Sequence, residues 1–236
     1  ASQWALDNQG QSGGVADADI DADEAWDVTA GDPSIVIAAI DSGCEVTHPD
    51  LIANLWRNAG EIPGNGIDDD QNGLVDDRDG WDFFNNNGSV PGTHWHGTRI
   101  AGIIGADTNN GIGVAGVAGG FAGSDGCRVM PLGVGDAYPL GTVVDDAILY
   151  AVANGARVIN ISFGIAQSAA VDAALQYAHD QGVFVCAAAG NLPNPSVLYP
   201  AMHPLVVSVP ATDEHDGRAN FSVAGPENWI SAPGIV

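Results

Sequence analysis

The sequence predicts an α/β fold with a mostly parallel, doubly wound sheet and helices on both faces of that sheet. Short, almost wholly apolar runs recur along the chain, and segments with helical periodicity lie between them. Gly, Asp or Pro residues bound the apolar runs. Continuous apolarity is typical of strands buried on both faces. Alternation of strands with helices indicates parallel strands joined by right-handed crossovers.

The candidate strands are the apolar runs at residues 35–40, 128–132, 157–162, 183–188 and 205–210. The candidate helices are residues 98–106, 142–154 and 168–180. In the second helix, Val144, Ile148 and Val152 share one face, which is the spacing of an amphipathic helix. Gly155 and Gly182 follow the last two helices and provide their stop signals.

Composition restricts the function classes. The chain has 236 residues, 45% of them hydrophobic, and we expect one domain over residues 1–236. Its 30 acidic and six basic residues give a formal net charge of −24, and all six basic residues are arginine. So acidic a chain is not expected to bind nucleic acid or an anionic membrane surface. The longest apolar run, Ile35–Ile40, is far too short to cross a bilayer, for which ~20 residues are needed.

An acidic loop interrupts the alternation at residues 61–87 and is expected to be an insertion in the domain. Eight of the 30 acids lie between Glu61 and Asp82. The spacing within the loop matches that of an EF-hand calcium loop, in which alternate residues supply oxygen ligands around a turn glycine, here Gly73. The expected ligands are Asp68, Asp70, Asn72, the Leu74 carbonyl and Asp76, with Asp79 at the closing position or, because Asp79 is shorter than the usual Glu, Asp77 or Asp76 in its place. The alternative is a solvated acidic loop, although crowded carboxylates without a cation repel one another.

Three polar residues stand where catalysis is common in parallel sheets. Asp41 ends the first candidate strand, His96 opens a helix beside Gly97, and Asn191 follows the fourth strand. An aspartate can orient a histidine, a histidine can shuttle protons, and a side-chain amide can donate to an oxyanion. Each residue also has a plain structural interpretation: a turn cap, a surface histidine and a left-handed turn residue. His94 is a rival to His96, but no third metal ligand stands near this pair in the sequence.

Taken together, these contexts resemble the subtilisin-like serine proteases, or subtilases, in which the catalytic triad runs Asp, His, Ser along the chain. The strings that carry the resemblance are Asp41–Leu51, His96–Ala106, Asn109–Ala118, Val158–Gly164 and Phe221–Gly225. The resemblance extends over essentially the whole chain. It implies that Asp41 orients His96, that His96 is the general base and then the general acid, and that Asn191 is the oxyanion-hole side chain.

The same resemblance implies a substrate groove for a protein or peptide. The segment Ser162, Phe163 and Gly164 would pair with the substrate backbone by strand addition. The segment Ala187, Ala188, Ala189 and Gly190 would line the pocket for the substrate residue on the acyl side of the cut. Ile165 departs from the family, where a second glycine is common, and would narrow the groove.

The resemblance also implies a second Ca²⁺ site in the Gly-rich stretch at residues 107–120. Its ligands would be the side chains of Asp50, Asn110 and Gln3 and the carbonyls of Thr108, Ile112 and Val114. Oxygen-only ligation with several carbonyls suits Ca²⁺ better than Mg²⁺ or Zn²⁺. The stretch formally matches the dinucleotide motif G-x-G-x-x-G, but it does not follow a strand, so that interpretation is rejected.

The main difference between this sequence and the family concerns the nucleophilic serine. The family's serine lies in a Gly-Thr-Ser-Met-Ala-like string, and no Gly-Thr-Ser occurs in this chain. None of the 12 serines has the nucleophile's context, and Ser42 and Ser162 hold other family positions. We therefore expect a secreted, calcium-dependent endopeptidase domain that lacks its nucleophile segment, is inactive alone, and obtains the serine from a C-terminal segment or a second chain. The alternative is a calcium-binding pseudo-protease that grips peptides or a partner without cutting.

Overall fold

A computed structural model describes residues 3–92, 94–121, 124–192 and 196–235. In chain order its helices and strands are α1 (Ala22–Trp26), β1 (Val36–Asp41), β2 (Trp81–Asp82), α2 (Trp95–Gly105), β3 (Arg128–Gly133), α3 (Val144–Ala153), β4 (Ala156–Ile161), α4 (Ala169–Asp180), β5 (Phe184–Ala188), β6 (Val207–Val209), β7 (Ala211–Thr212) and β8 (Ala232–Pro233). All five candidate strands and all three candidate helices are present within a few residues of their expected bounds.

The main sheet has six strands in the order β2-β3-β1-β4-β5-β6, and every neighbouring pair is parallel. The prediction of a mostly parallel α/β sheet is therefore confirmed. β1 lies between β3 and β4, so the chain extends the sheet first on one side of β1 and then on the other. In doubly wound sheets such a reversal opens a crevice at the carboxyl ends of the strands, where ligands bind. Asp41 is the last residue of β1 and lies at this position.

Helices cover both faces of the sheet, as the alternation of side chains along β1 makes plain. Ala38 and Ile40 point into the larger core, which contains buried residues of β3, β4, α3 and α4. Ala39 points the other way, into a smaller core with Ala101 of α2. Because successive residues of a strand face opposite sides, one strand contributes to both cores. Both predicted helical layers thus meet at β1.

One part of the sheet is less covered. On the face of β4 and β5 opposite α3 and α4, Val158 pairs with Phe184 and Asn160 pairs with Cys186. Phe184 is 52% exposed, and the other three residues are half-buried. Their neighbours on the opposite face, such as Ile159 and Val185, are buried. An apolar strand surface of this kind is a surface that another segment or partner could cover.

The elements that sequence analysis missed are short. α1 has five residues, and β2, β7 and β8 have two each, so none holds enough residues to show a period. β2 lies inside the stretch that was expected to be an irregular insertion, where it pairs with β3. No helix among the described residues is long and apolar enough to cross a membrane.

The charge imbalance predicts that monovalent salt stabilises this protein. With 30 acidic and six basic residues, self-repulsion destabilises the compact state, and salt screens it. Raising NaCl from 0.05 to 1 M at fixed calcium should raise Tm by about 4 °C or more, equivalent to ~1–2 kcal/mol. The exposed acids Asp17, Asp23 and Asp27 allow a matched comparison, because their combined change to Asn should flatten the salt dependence. A Tm that falls with salt would contradict the explanation.

Candidate active site

The structure places Asp41 and His96 in direct contact. Asp41 is 4% exposed, and its Oδ1 and Oδ2 lie 2.8 and 3.0 Å from His96 Nδ1. His96 lies in the first turn of α2, which begins at Trp95, three residues before the expected start. Gly97 permits the close approach, because a Cβ there would overlap the carbonyl oxygen of Gly43. The pair therefore depends on a glycine in the first turn of α2.

Ser42 joins the loop after β1 to the start of α2 through hydrogen bonds. Its hydroxyl accepts a hydrogen bond from the Gly97 amide at 3.0 Å and donates to the His94 carbonyl at 3.2 Å. Its amide donates to Asp41 Oδ1 at 2.8 Å. Sequence analysis placed Ser42 only as part of a motif, and its position directly after the strand-end aspartate was the available signal. The loop after β1 and the start of α2 are thus held in register at the proposed reacting pair.

Opposing effects act on the pKa of His96. The hydrogen bond to Asp41 raises the pKa above its ordinary value, while burial and the positive charge of Arg99 lower it, and the net direction is upward. Arg99 lies with its guanidinium carbon 4.2 Å from the centroid of the exposed Trp95 ring. With Nδ1 facing Asp41, the Nε2 atom is the one available for proton exchange with a substrate or nucleophile.

A cleft of about 190 Å³ opens beside this pair. It contains residues from the carboxyl ends of β1 and β4, from the start of α2 and from the loop after β3. They are Asp41, Ser42, His94, His96, Gly135, Asp136, Ala137, Pro139, Ser162 and Phe163. The structure therefore brings part of the predicted substrate-pairing segment to the same cleft as the predicted acid–base pair.

The remaining predicted substrate residues continue from the same sheet edge. Ile161 of β4 pairs with Ala187 of β5, so the segment ending at Gly164 and the segment ending at Gly190 leave the sheet as neighbours. Within the second segment, Ala187 and Ala189 are buried, and Ala188 and Gly190 are half-buried. Ile165 lies across from Gly141, where a built Cβ would be 3.5 Å from the Ile165 Cβ.

Asn191 follows Gly190 at this edge. It is exposed, and it forms an isolated antiparallel bridge with Ser222, which fixes its backbone. Gly190 has a φ of +106°, so a glycine is required for the chain to turn there. The turn brings the predicted oxyanion donor out of the sheet on the side of the carboxyl ends.

The acidic loop folds around three carboxylates. Ligand oxygens of Glu61, Asp70 and Asp77 all lie within 4.8 Å of one another. Glu61 is 6% exposed and Asp77 is fully buried. Glu61 was not among the expected ligands, because it precedes the EF-hand-like spacing by seven residues. Only folding brings it back to the loop, where its carboxylate accepts hydrogen bonds from the amides of Asp69, Asp70 and Asp76.

The other ligands expected in this loop lie outside the cluster of three carboxylates. Asp68 accepts hydrogen bonds from the amides of Asn72 and Gly73, as the first residue of such a loop does, and the Asn72 side chain donates to Asp77. Leu74 donates its amide to Asn72 Oδ1. The Asp76 carboxylate accepts amide hydrogen bonds from residues 65 and 66, away from the three clustered acids. Asp79 forms an ion pair with Arg57 at 2.9 Å, so the structure does not bring it into the cluster.

Asp77 also joins the loop to the core. It accepts a hydrogen bond of 2.7 Å from the hydroxyl of Tyr150 on α3. Burial, followed by this hydrogen bond, raises the pKa of Tyr150 well above its ordinary range. The phenol therefore stays protonated and acts as a donor to Asp77, and the geometry of the loop is coupled to the packing of α3.

The second predicted calcium region is centred on Asp50, which is 2% exposed. Its carboxylate accepts hydrogen bonds of 2.9 Å from the Asn110 side chain and from the Val114 amide, while Asn110 Oδ1 accepts one from the Ile112 amide. Gln3 exchanges two hydrogen bonds with the backbone of residue 115. Thr108 is buried and donates to the carbonyl of residue 116. The side chains of Asp50 and Gln3 therefore contact the Gly-rich loop, whereas Thr108, Ile112 and Val114 are seen to engage through a hydroxyl and two amides and not through the carbonyls predicted as ligands.

Comparison with known proteins gives a consistent family result. A model of the subtilase family matches residues 32–235. A thermophilic serine proteinase of Bacillus sp. (strain AK1) is 35% identical over 216 residues, which is 90% of this chain and 47% of that protein. Thermitase of Thermoactinomyces vulgaris is 34% identical over 91% of this chain and 68% of its own length. A halolysin-like extracellular serine protease, Nep, of Natrialba magadii is 34% identical over 91% of this chain and 36% of its own length.

A solved structure agrees with the fold. The structure of the prenylagaramide maturation protease PagA matches with a TM-score of 0.67 and 27% identity, over 90% of this chain and 67% of that one. This chain thus spans about half to two thirds of the length of the first two curated relatives.

The contact between Asp41 and His96 predicts a specific change in titration. Asp41→Asn removes the negative charge, and with it the charge-assisted hydrogen bond, that raise the His96 pKa, so burial and Arg99 should then hold that pKa below its ordinary value. NMR titration of the imidazole resonances measures the effect, and Asp146→Asn on α3 is a matched control that should leave it unchanged. An unaltered His96 titration in Asp41→Asn would contradict the geometry.

The same shift determines how the pair contributes to stability. The folded-state pKa of His96 is raised above 6.5, so protonated His96 adds to the free energy of unfolding. This contribution is complete below pH 6.5 and is lost as the pH rises through the raised pKa. The difference in Tm between wild type and Asp41→Asn should therefore be larger at pH 5.5 than at pH 9.

Proposed function

The chain belongs to the subtilase family of serine peptidases, and we propose that it provides the acid–base and substrate-binding parts of a peptidase that hydrolyses peptide bonds in proteins or peptides. The single observation that carries the proposal is the contact of 2.8 Å between buried Asp41 and His96 at the edge of the cleft beside the carboxyl ends of β1 and β4. The relatives' names support a serine-dependent reaction for the family.

In the proposed reaction, His96 Nε2 takes the proton of a seryl hydroxyl as that oxygen attacks the substrate carbonyl carbon. Asp41 keeps the imidazole oriented and stabilises its cationic form. His96 then gives the proton to the leaving amine, and water hydrolyses the acyl-enzyme by the same route in reverse. The Asn191 side chain donates to the oxyanion, a contribution worth about 3–4 kcal/mol in a comparable peptidase.

The substrate backbone is proposed to lie along Ser162, Phe163 and Gly164, which leave the sheet at the cleft. An extended peptide there would add a strand and form main-chain hydrogen bonds, with pockets for alternate side chains. The side chain on the acyl side of the cut would point between this segment and residues 187–190. Both segments are ends of rigid strands, which favours precise positioning of the scissile bond.

We propose that a segment other than residues 1–236 contributes the nucleophile. Two serines line the cleft, and both hydroxyls are engaged elsewhere: Ser42 with Gly97 and His94, and Ser162 with the Asn160 side chain at 2.8 Å. The half-exposed apolar face of β4 and β5 is the surface against which such a segment, or a second chain, would pack. The alternative is a pseudo-protease. The hydrogen bonds of both cleft serines are equally consistent with a protein that has no nucleophile at all.

A serine-directed fluorophosphonate probe tests the assignment of the nucleophile. This chain alone should give no labelled serine, whereas an active serine peptidase treated in parallel should be labelled completely. Labelling at any of the 12 serines would identify a nucleophile within these residues and contradict the proposal. A Gly-Thr-Ser-x-Ala string elsewhere in the same reading frame would exclude the pseudo-protease.

We further propose that Ca²⁺ stabilises the protein at two places. At the acidic loop, Glu61, Asp70 and Asp77 present clustered oxygens, two of the three side chains are buried, and the loop spacing is that of a calcium ligand set. At the second region, Asp50 and Asn110 supply side-chain oxygens, and the carbonyls of Thr108, Ile112 and Val114 would complete the oxygen-rich environment that a hard cation prefers. A bound Ca²⁺ would offset the repulsion among these carboxylates.

We also propose secretion. Calcium sites of moderate affinity are filled at extracellular calcium concentrations, and one relative is named as extracellular. The net charge of −24 keeps such a protein soluble and away from anionic surfaces.

Removal of calcium should lower the stability markedly. At a calcium concentration ~100 times Kd, one site contributes ~2.7 kcal/mol, which corresponds to about 5–10 °C in Tm for a chain of this size. Excess EDTA should therefore lower Tm by at least about 5 °C. In Asp77→Asn the EDTA effect should shrink by about half, whereas the control Asp146→Asn should retain it. An equal Tm with EDTA and with calcium would contradict both proposed sites.

A further inference from the structure

Asn-Gly dipeptides occur at five places in the sequence. In such a dipeptide the asparagine side chain can react with the next backbone nitrogen, because glycine has no Cβ to hinder the approach. In four of the five, the asparagine Oδ1 accepts a hydrogen bond of 2.8–2.9 Å from the amide two residues further on. This turn holds the side-chain carbonyl carbon next to the intervening glycine nitrogen. The five asparagines are Asn65, Asn72, Asn87, Asn110 and Asn154.

Three of the five glycine nitrogens donate hydrogen bonds of their own, so each must lose a bond before it can attack. In two cases the acceptor is an aspartate carboxylate, and in the third it is a backbone carbonyl near the end of α3. The donor–acceptor pairs are Gly66 with Asp76 at 2.9 Å, Gly73 with Asp68 at 2.8 Å, and Gly155 with Val152 at 3.1 Å. An attack at these positions therefore requires local opening of the structure.

The fourth dipeptide, Asn87-Gly88, is held by packing and by its backbone. The carbonyl of Asn87, which belongs to the same peptide unit as the Gly88 nitrogen, accepts a hydrogen bond of 2.9 Å from the Asp82 amide. A Cβ built on Gly88 would overlap the carbonyl oxygen of Asp76. This peptide unit therefore has little freedom to rotate towards the asparagine side chain.

The fifth dipeptide, Asn110-Gly111 in the Gly-rich loop, has none of these restraints. Gly111 is exposed, and a Cβ built on it would meet no heavy atom within 4 Å beyond its chain neighbours. In the part of the chain that the structure describes, no group accepts a hydrogen bond from its amide. The Asn110 side chain is already turned towards this nitrogen, since its Oδ1 accepts from the Ile112 amide at 2.8 Å. The structure thus leaves one of five identical dipeptides free to react.

We propose that Asn110 is a modification site at which the protein deamidates spontaneously, faster than at its other four Asn-Gly dipeptides. The Gly111 nitrogen loses its proton to hydroxide and forms a bond to Asn110 Cγ. The Cγ–Nδ2 bond breaks, and Nδ2 takes a proton from water and leaves as ammonia. Water then opens the cyclic imide at one of its two C–N bonds. Cleavage at Cγ gives aspartate and cleavage at the backbone carbon gives isoaspartate, so the net change is uptake of water and loss of ammonia.

The product would disturb the loop, because Asn110 contacts a buried carboxylate. Its Nδ2 atom, the one that leaves, donates to Asp50 Oδ1 at 2.9 Å, and Asp50 is 2% exposed. Either product carries a carboxylate in place of this donor, so a hydrogen bond is replaced by repulsion between like charges. We expect the loop at residues 107–120 to lose part of its attachment to Asp50 as the protein ages.

The test follows deamidation in the wild-type chain itself. The protein is kept in mildly alkaline buffer with excess EDTA, well below its Tm, and is digested at intervals for peptide mapping by mass spectrometry. Asn110 should be converted at least about tenfold faster than each of the other four asparagines, because their glycines must first lose a hydrogen bond or a packing contact. The EDTA makes the result independent of whether Ca²⁺ binds at this loop.

Unfolded protein supplies the matched control. In concentrated urea all five dipeptides are exposed, so they should react at similar rates and the preference for Asn110 should disappear. A preference of the same size in urea would show that it arises from the local sequence, and it would overturn the structural explanation.

The variant Asn110→Asp reproduces one product and measures its effect on stability. In EDTA its Tm should lie about 3 °C or more below that of wild type, because the donor to Asp50 is replaced by a like charge. Asn109→Asp adds the same charge at the adjacent, exposed position and should give a clearly smaller loss. An equal loss in the two variants would indicate general charge repulsion and would contradict the role of the contact with Asp50.

The mapping experiment decides the inference without reference to catalysis. If another Asn-Gly dipeptide is converted first, or if all five are converted equally in the folded protein, Asn110 is not the preferred site and the inference is overturned. Neither result would affect the proposed peptide groove or the pairing of Asp41 with His96, since neither uses the Gly-rich loop.

Discussion

The hydrogen bond between Asp41 and His96 is the interaction on which the arrangement of the site depends. It joins the carboxyl end of the central strand β1 to the first turn of α2, and these elements are separated by 55 positions in the sequence. Asp41 is almost fully buried, and a buried carboxylate is costly unless it is paired and hydrogen-bonded. The amide of Ser42 and the ring of His96 supply those partners, and Gly97 supplies the room. Without His96, the Asp41 carboxylate would be a buried charge with no ring partner. The start of α2 would also lose a hydrogen bond that holds it against β1.

Carboxylates organise the irregular parts of the molecule in the same way. The Glu61 carboxylate accepts hydrogen bonds from three backbone amides of the acidic loop. In the Gly-rich loop, the Asp50 carboxylate accepts hydrogen bonds from the Asn110 side chain and the Val114 amide. Loops of this kind cannot rely on an apolar core, so hydrogen bonds to buried acids set their shape. Part of the net charge of −24 is therefore structural, and a bound cation would reduce the repulsion that this arrangement creates.

The fold was predictable because it rests on local signals, and the pairing of Asp41 with His96 was implied by the family resemblance. Buried parallel strands are continuous apolar runs, helices carry a 3.6-residue period, and Asp41 and His96 stand at the ends of such elements. The two-residue strands and α1 were not predictable, because elements this short show no period and form only through their partners. Glu61 was missed for a related reason. Its role depends on a chain segment that returns to a distant site, and nothing in its immediate sequence marks that return.

The sequence by itself determined the class of fold, the family resemblance and the residue types available for chemistry, because strand and helix periodicity and strand-end motifs are properties of neighbouring residues. Only the tertiary structure decided which oxygens converge at the acidic loop and that Asp79 forms an ion pair with Arg57 instead. Distances between residues far apart in the chain are set by how the sheet and its loops pack. Packing is a property of the whole chain, so the size of a pocket and the membership of a ligand cluster emerge only when the chain is folded.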